Sequence, residues 1–213
     1  MLNKNDLNQE QIDKALICFK NAKYKESIDI LKNLEKKQSH FLIYWYLGHS
    51  YFRIYDYNSA INNIKKSINL KKPDVLNLSF LAEIYLRTNN YAESIKLFKK
   101  VLDIDNKNVN SLFNLAKSHL EIGQVEIAET YYNNLIKEDP TNLEAHYELI
   151  RINKNYLTTT LIEKIERNEI PNDENSLNNI FSKFILAEYY KNTKNFKNEI
   201  KCLIDAHNNY SIK

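Results

Sequence analysis

Glycine occurs only twice in this 213-residue chain, and proline only three times. Hairpins, tight loops and phosphate cradles consume glycine, because it enters left-handed backbone cheaply and lets the main chain approach a ligand. Their shortage excludes a glycine-rich nucleotide loop. Helices need neither residue, so composition alone reads as almost entirely α. Cysteine is equally scarce. Cys18 and Cys202 lie near opposite ends, each in a helical pattern among apolar neighbours. Two isolated cysteines make neither a disulfide framework nor a metal site, and a reducing cytoplasmic setting is the simplest expectation. No apolar run approaches the ~18 residues of a membrane span. Residues 1–10 are polar and lack a signal-peptide core. No membrane insertion is therefore expected. Charge of one sign is also missing: 30 basic residues face 27 acidic ones, a net charge of +3. That excess is too small to argue for nucleic acid as a partner.

Catalytic groupings are missing as well. The histidines His40, His49, His119, His146 and His207 are scattered, with no i, i+4 pair flanking an acid. Neither cysteine has a local histidine to lower its pKa. The expectation is no enzyme activity, no metal and no cofactor.

What is present is a period. Leu47, Leu81, Leu115 and Leu149 are each 34 residues apart. Tyr51, Tyr85 and His119 keep the step, as do Tyr57, Tyr91 and Val125, and Ala60, Ser94 and Ala128. Ile64, Phe98 and Tyr132 continue it, then Ile68, Leu102 and Ile136. So many columns in one phase mark an internal repeat. Repeats are assigned to 41–74, 75–108 and 109–142. Within each, apolar residues at positions 4, 7, 8 and 11 fit one helix, and those at 17, 20, 21, 24, 27 and 28 a second. Position 8 is Gly48, Ala82 or Ala116, small enough for the paired helices to approach closely. Asn89 and Gly123 fall at the turn between helices, where left-handed backbone is useful. His119 takes a core position and reads as packing rather than ligation.

The pattern resembles the tetratricopeptide-repeat (TPR) family. Tyr44, Leu47, Gly48, Tyr51 and Ala60 match it in one repeat, and Leu112, Leu115, Ala116, Ala128, Tyr132 and Pro140 in another. The resemblance implies an all-α fold, a right-handed α-solenoid of about six antiparallel helix pairs. Residues 1–7 are a polar tail and 8–40 a first repeat, so four repeats fill 8–142. Residues 143–179 form a degenerate pair whose first helix runs from Leu143 to about Asn155. Leu157, Leu161, Ile162 and Ile165 make a short second stripe. An inserted loop over 170–176 adds three residues, and Ser176 is the expected N-cap of the next helix. Residues 180–213 return to register as a terminal TPR-like repeat.

In such domains the first helices line a concave groove, which implies a protein or peptide partner. The groove set is Trp45, His49, Arg53, Ser79, Glu83, Arg87, Phe113, Lys117, Tyr147 and Arg151. One rung is mostly aromatic and the next charged, which suits an extended or helical peptide. The aromatic set also reads as packing between neighbouring first helices. Position 5 is never Lys and position 9 never Asn, so the family's clamp for chaperone carboxylate tails is not expected. Lys32, Lys65, Lys66, Lys99 and Lys100 would align along the second helices, either as a solvated face or as a dock for an acidic partner.

The C-terminal part carries a narrower resemblance. The run 144–149 (EAHYEL), then Thr159, Asn172-Asp173, Phe184 to Tyr190, Asn195-Phe196 and Ala206-His207-Asn208 occur in that order. This order is similar to the segment joining repeats to the catalytic domain in bacterial TPR-containing sulfotransferases, which use 3′-phosphoadenylyl sulfate. It implies a substrate-recruiting or regulatory region whose catalytic domain is absent from this chain. A further expectation is self-association through uncapped ends of the stack.

Overall fold

The computed structural model describes residues 9–171 and 176–211. The tail at 1–7 and the Asn172-Asp173 step of the inserted loop lie outside the described residues. Among the described residues there are twelve α-helices and one 3₁₀ turn, with no strand. The chain divides into two compact units, 1–106 and 107–213.

The first unit holds α1 (Gln9–Lys20), α2 (Tyr24–Glu35), α3 (Phe41–Arg53), α4 (Tyr57–Leu70), α5 (Val75–Arg87) and α6 (Tyr91–Ile104). Each consecutive pair is a helical hairpin, and α2 and α4 also pack against the helix after them. The turns have a common construction. Ala22, Tyr55 and Asn89 take positive φ of 58°, 64° and 58°. In each case the next amide donates back to the carbonyl five residues earlier, as Asp56 does to Tyr51 and Asn90 to Tyr85. This closes the last turn of the first helix and aims the chain into the second. The expected close approach at position 8 is present. A Cβ on Gly48 would lie 2.4 Å from Cδ1 of Ile64, and Ser94 donates to the carbonyl of Ala82 at 3.0 Å. Ile12, Leu31, Ile43, Leu47, Ile64 and Ile84 form the buried centre. Each such side chain contributes about 1.5–3 kcal/mol relative to exposure.

The second unit holds α7 (Val109–Glu121), α8 (Val125–Glu138), α9 (Leu143–Ile152), a 3₁₀ turn (Lys154–Tyr156), α10 (Thr159–Glu166), α11 (Leu177–Asn192) and α12 (Phe196–Ser211). Gly123 supplies the positive φ, 77°, at the α7–α8 turn. Its core gathers Leu143, Ile150, Leu161, Ile162, Ile165 and Ile185. His119 is buried as expected, stacked on Tyr131 and bonded through Nδ1 to Gln124 at 2.6 Å.

Two details differ from the sequence reading. The first helix of the degenerate pair ends at Ile152, not near Asn155. Asn153 turns extended, with φ −147° and ψ 114°, and its side chain accepts from the Asn155 amide. Tyr156 then docks on α8, donating to Glu129 at 2.6 Å and accepting from Asn133 at 2.9 Å. The 34-residue step also continues further than expected. His40, Asp74, Asn108, Asn142 and Ser176 are all N-caps, each accepting from a backbone amide of the helix it starts. The extra three residues fall inside α11, which has 16 residues where α3, α5 and α7 have 13.

Candidate functional site

Within the first unit, the groove residues of α3 and α5 form an aromatic panel. A first helix places positions 5 and 9 on one face, one turn apart. Trp45 and His49 meet edge to face with centroids 4.3 Å apart. Phe80 of α5 stacks on His49 at 3.7 Å and meets Trp45 at 5.7 Å. Phe52 approaches Phe80 at 5.1 Å, and the Arg87 guanidinium lies 5.4 Å from the Phe52 ring centre. Phe80 and Phe52 stand outside the sequence-derived set. Each adjoins an assigned residue, Phe80 next to Ser79 and Phe52 next to Arg53, and Phe52 holds position 12 of its repeat, a groove position that the set leaves out.

His49 sits deep in this panel. Its Nε2 is buried and has no hydrogen-bond partner among the described residues. Burial, reinforced by the nearby Arg53 charge, lowers its pKa from 6.5 to about 4, so the imidazole is neutral near pH 7. Arg53 is exposed. Glu83 and Arg87 pair with each other at 3.2 Å along α5, and Ser79 is half-buried beside Phe80. The panel therefore offers aromatic area with charges at its edge.

Within the second unit, groove positions of α7 and α9 converge on a pocket. Its volume is about 640 Å³, in the range of small-ligand and side-chain sites. Phe113, Lys117, Leu120 and Glu121 line it from α7, Val125 and Tyr132 from α8, and Glu144, Glu148, Arg151 and Ile152 from α9. Three sequence-derived residues, Phe113, Lys117 and Arg151, are thus brought together. Tyr147 is not. It packs sideways on α11, 5.7 Å from Phe181 and 5.5 Å from Phe184, as the alternative packing reading of the aromatic rung anticipates.

Of the pocket's acids, Glu121 holds position 13 of its repeat, four residues after Lys117, whereas Glu144 and Glu148 stand outside the sequence-derived set. Glu148 receives both contacts of Arg151 Nη1, at 2.9 and 3.1 Å. Burial pushes the Glu144 carboxyl up, with Lys117 opposing and Glu148 adding to the rise. Tyr132 is buried beneath, and burial, then Glu148 and Glu144, hold its phenol firmly protonated. Among the described residues no group of three or more His, Cys, Asp or Glu side chains is arranged to hold a metal. No helix is long and apolar enough among them to cross a membrane.

Known proteins share this architecture. A family model described as tetratricopeptide repeat matches residues 85–151, a span that includes every pocket residue except Ile152. No curated protein sequence matches. Among solved structures, a crystal structure of MamA protein aligns with 76% of this chain and 94% of its own, at 14% identity and a TM-score of 0.69. MamA 41-end from Desulfovibrio magneticus RS-1 aligns over 72% and 87%, at 14% identity and 0.66. YrrB, described as a TPR protein with an unusual peptide-binding site, aligns over 97% and 88%, at 12% identity and 0.60. At these identities the likeness is one of fold, and that fold is the TPR type of helical repeat.

Proposed function

We propose that this chain is a non-catalytic scaffold that holds a peptide or protein segment against the first-helix face of its repeats. The observation that carries the reading is the convergence of Phe113, Lys117 and Arg151 on one pocket of about 640 Å³. These residues are assigned from repeat position alone, and an aromatic wall beside fixed charges is the composition of a binding hot spot. The peptide-binding site ascribed to YrrB supports the same use of the fold. The test is capture of peptides by the full chain and by a Trp45→Ala, Arg151→Ala double variant. Reduced capture by the variant is expected. Equal capture by both would remove the first-helix face from the function.

A second reading, association of copies through α12, is favoured by one observation. Phe196, Ile200, Leu203 and Ile204 are 61%, 56%, 42% and 54% exposed. Leu203 takes the place that Ile64 and Tyr132 hold in their repeats, where both are buried. Light scattering over a wide concentration range decides it. A mass that rises with concentration, and is reset by Leu203→Glu, is expected. A constant monomer mass would overturn it. The sulfotransferase-linked alternative rests on residue order alone, and no feature of the site favours it.

A further inference from the structure

Three carboxylates and two cations line the pocket of the second unit, Glu121, Glu144 and Glu148 against Lys117 and Arg151. The cations leave it acidic. Arg151 is engaged by Glu148. Lys117 acts on Glu144 electrostatically, yet no ion pair within 4.0 Å joins Glu144 to any described residue. Glu144 lies in the first turn of α9, where the helix dipole favours an anion. It is therefore an ionisable carboxylate, partly removed from water, with no paired cation. The phenol of Tyr132 reports the same field, since Glu148, Glu144 and Glu121 act on it in one direction and Arg151 alone in the other. Around these charges stand apolar walls, Phe113, Leu120, Val125 and Ile152. Such a site suits a side chain that is apolar along its length and cationic at its end. An acidic side chain would enter beside three carboxylates, and the two cations it could meet are already committed, Arg151 paired with Glu148 and Lys117 acting on Glu144.

We infer that this pocket receives a lysine or arginine side chain of the bound segment, its aliphatic stem against Phe113, Val125 and Ile152 and its charged end at Glu144 and Glu121. The inference rests on the reading that the first-helix face holds a peptide, and it names the chemistry that face selects. A partly buried carboxylate pairs more strongly with a cation than an exposed one, because the surrounding dielectric is lower. The excess negative charge then becomes the selective element and the apolar walls the adaptable one.

The experiment uses the full chain and pools of biotinylated nonapeptides, each pool with one position fixed and the rest randomised. Wild type is expected to retain pools fixed as Lys or Arg preferentially. Glu144→Gln keeps the shape and removes the charge, and it is expected to lower retention of those pools about tenfold. Glu121→Gln, an exposed change, is expected to lower it in the same direction, which guards against a folding effect at Glu144. Thermal unfolding of both variants is measured alongside. Retention of peptides with no preference for a basic residue, or a preference untouched by both variants, would overturn the inference and leave peptide binding standing. Retention of no pool at all by wild type would remove both the inference and the reading beneath it.

Discussion

The imidazole of His49 lies flat on the ring of Phe80, with centroids 3.7 Å apart and planes within 5°. The ring is held neutral by its burial among Trp45, Phe80 and Phe19 and by the nearby Arg53 charge, not by the stack itself. Burial therefore lowers the folded-state pKa from 6.5 to about 4. Between those values the unfolded chain binds a proton that the folded chain refuses, so stability is full above pH 6.5 and falls as pH drops towards 4. The full drop corresponds to about 3 kcal/mol as an upper figure. His49→Phe keeps the stack and removes the titration. Urea unfolding at pH 7 and pH 4.5 should show a smaller loss for the variant. An equal loss would mean that other groups, such as the half-buried His146, whose pKa burial also lowers, carry the acid sensitivity.

Gly48 is the second test of packing. An added Cβ would meet Cδ1 of Ile64 at 2.4 Å and Cγ1 at 2.6 Å, and Ile64 is fully buried with little room to turn. Gly48→Ala gains about 1 kcal/mol of helix propensity but must push the helices apart, at a cost of about 1–3 kcal/mol. A net loss in chemical denaturation is expected. Combining it with Ile64→Ala should cost less than the sum of the single changes, since the small residue relieves the clash. Strict additivity would show that the contact is not the cause.

How much of this is legible in the sequence depends on the kind of signal. Leu47, Ala60 and Ile64 recur in phase because each fills the same place between two helices, so their columns report the fold directly. The N-cap column is present too, but His40, Asp74, Asn108, Asn142 and Ser176 are chemically varied and share only the ability to accept from an amide. That hides the continued 34-residue step and assigns the three extra residues to a loop instead of to α11. The pocket is half legible. Phe113, Lys117 and Arg151 hold fixed repeat positions, whereas Glu144 and Glu148 matter through their burial beside Tyr132, which depends on neighbouring helices. Tyr147 shows the reverse case, a groove position taken over by packing on Phe181 and Phe184.

The basic stripe has an internal use that a sequence cannot show. Lys65 sits 5.5 Å from the ring centre of Tyr85, and Lys32 takes the same place over Tyr51 at 5.7 Å. Lys66 lies 5.0 Å over Tyr44 and pairs with Glu35 at 3.0 Å. Lys65 and Lys32 each reach the first helix of the next repeat. Lys65→Ala is expected to lower stability by about 0.5 kcal/mol, the scale of an exposed cation–aromatic contact. The loss should shrink in a Tyr85→Leu background. An unchanged loss there would assign it to packing of the lysine's aliphatic stem instead, since alanine is the better helix former.

Tyr55 and Gly123 occupy the same turn position in two repeats and should respond in opposite ways. Tyr55 is 78% exposed with φ 64°, a backbone strained for any residue bearing a Cβ. Gly123 has φ 77° and open space around it. Tyr55→Gly is expected to stabilise by roughly 1 kcal/mol, and Gly123→Ala to destabilise by a similar amount. Two changes of the same sign would refute backbone strain as the controlling term.

Tyr156 fastens the irregular pair to the regular repeat before it. Its hydroxyl donates to Glu129 and accepts from Asn133, and the bond to Glu129 holds its own proton more tightly than usual. Removing the hydroxyl in Tyr156→Phe leaves both partners to water and should cost about 1–2 kcal/mol. Glu129→Gln retains an acceptor and should cost less. Hydrogen exchange locates the effect. Faster exchange is expected in the α9–α10 segment, including the amides of Tyr156 and Leu157, whose backbone bonds close the 3₁₀ turn. If exchange there is unchanged while global stability falls, the hydroxyl acts on α8 itself and not on the docking of the irregular pair.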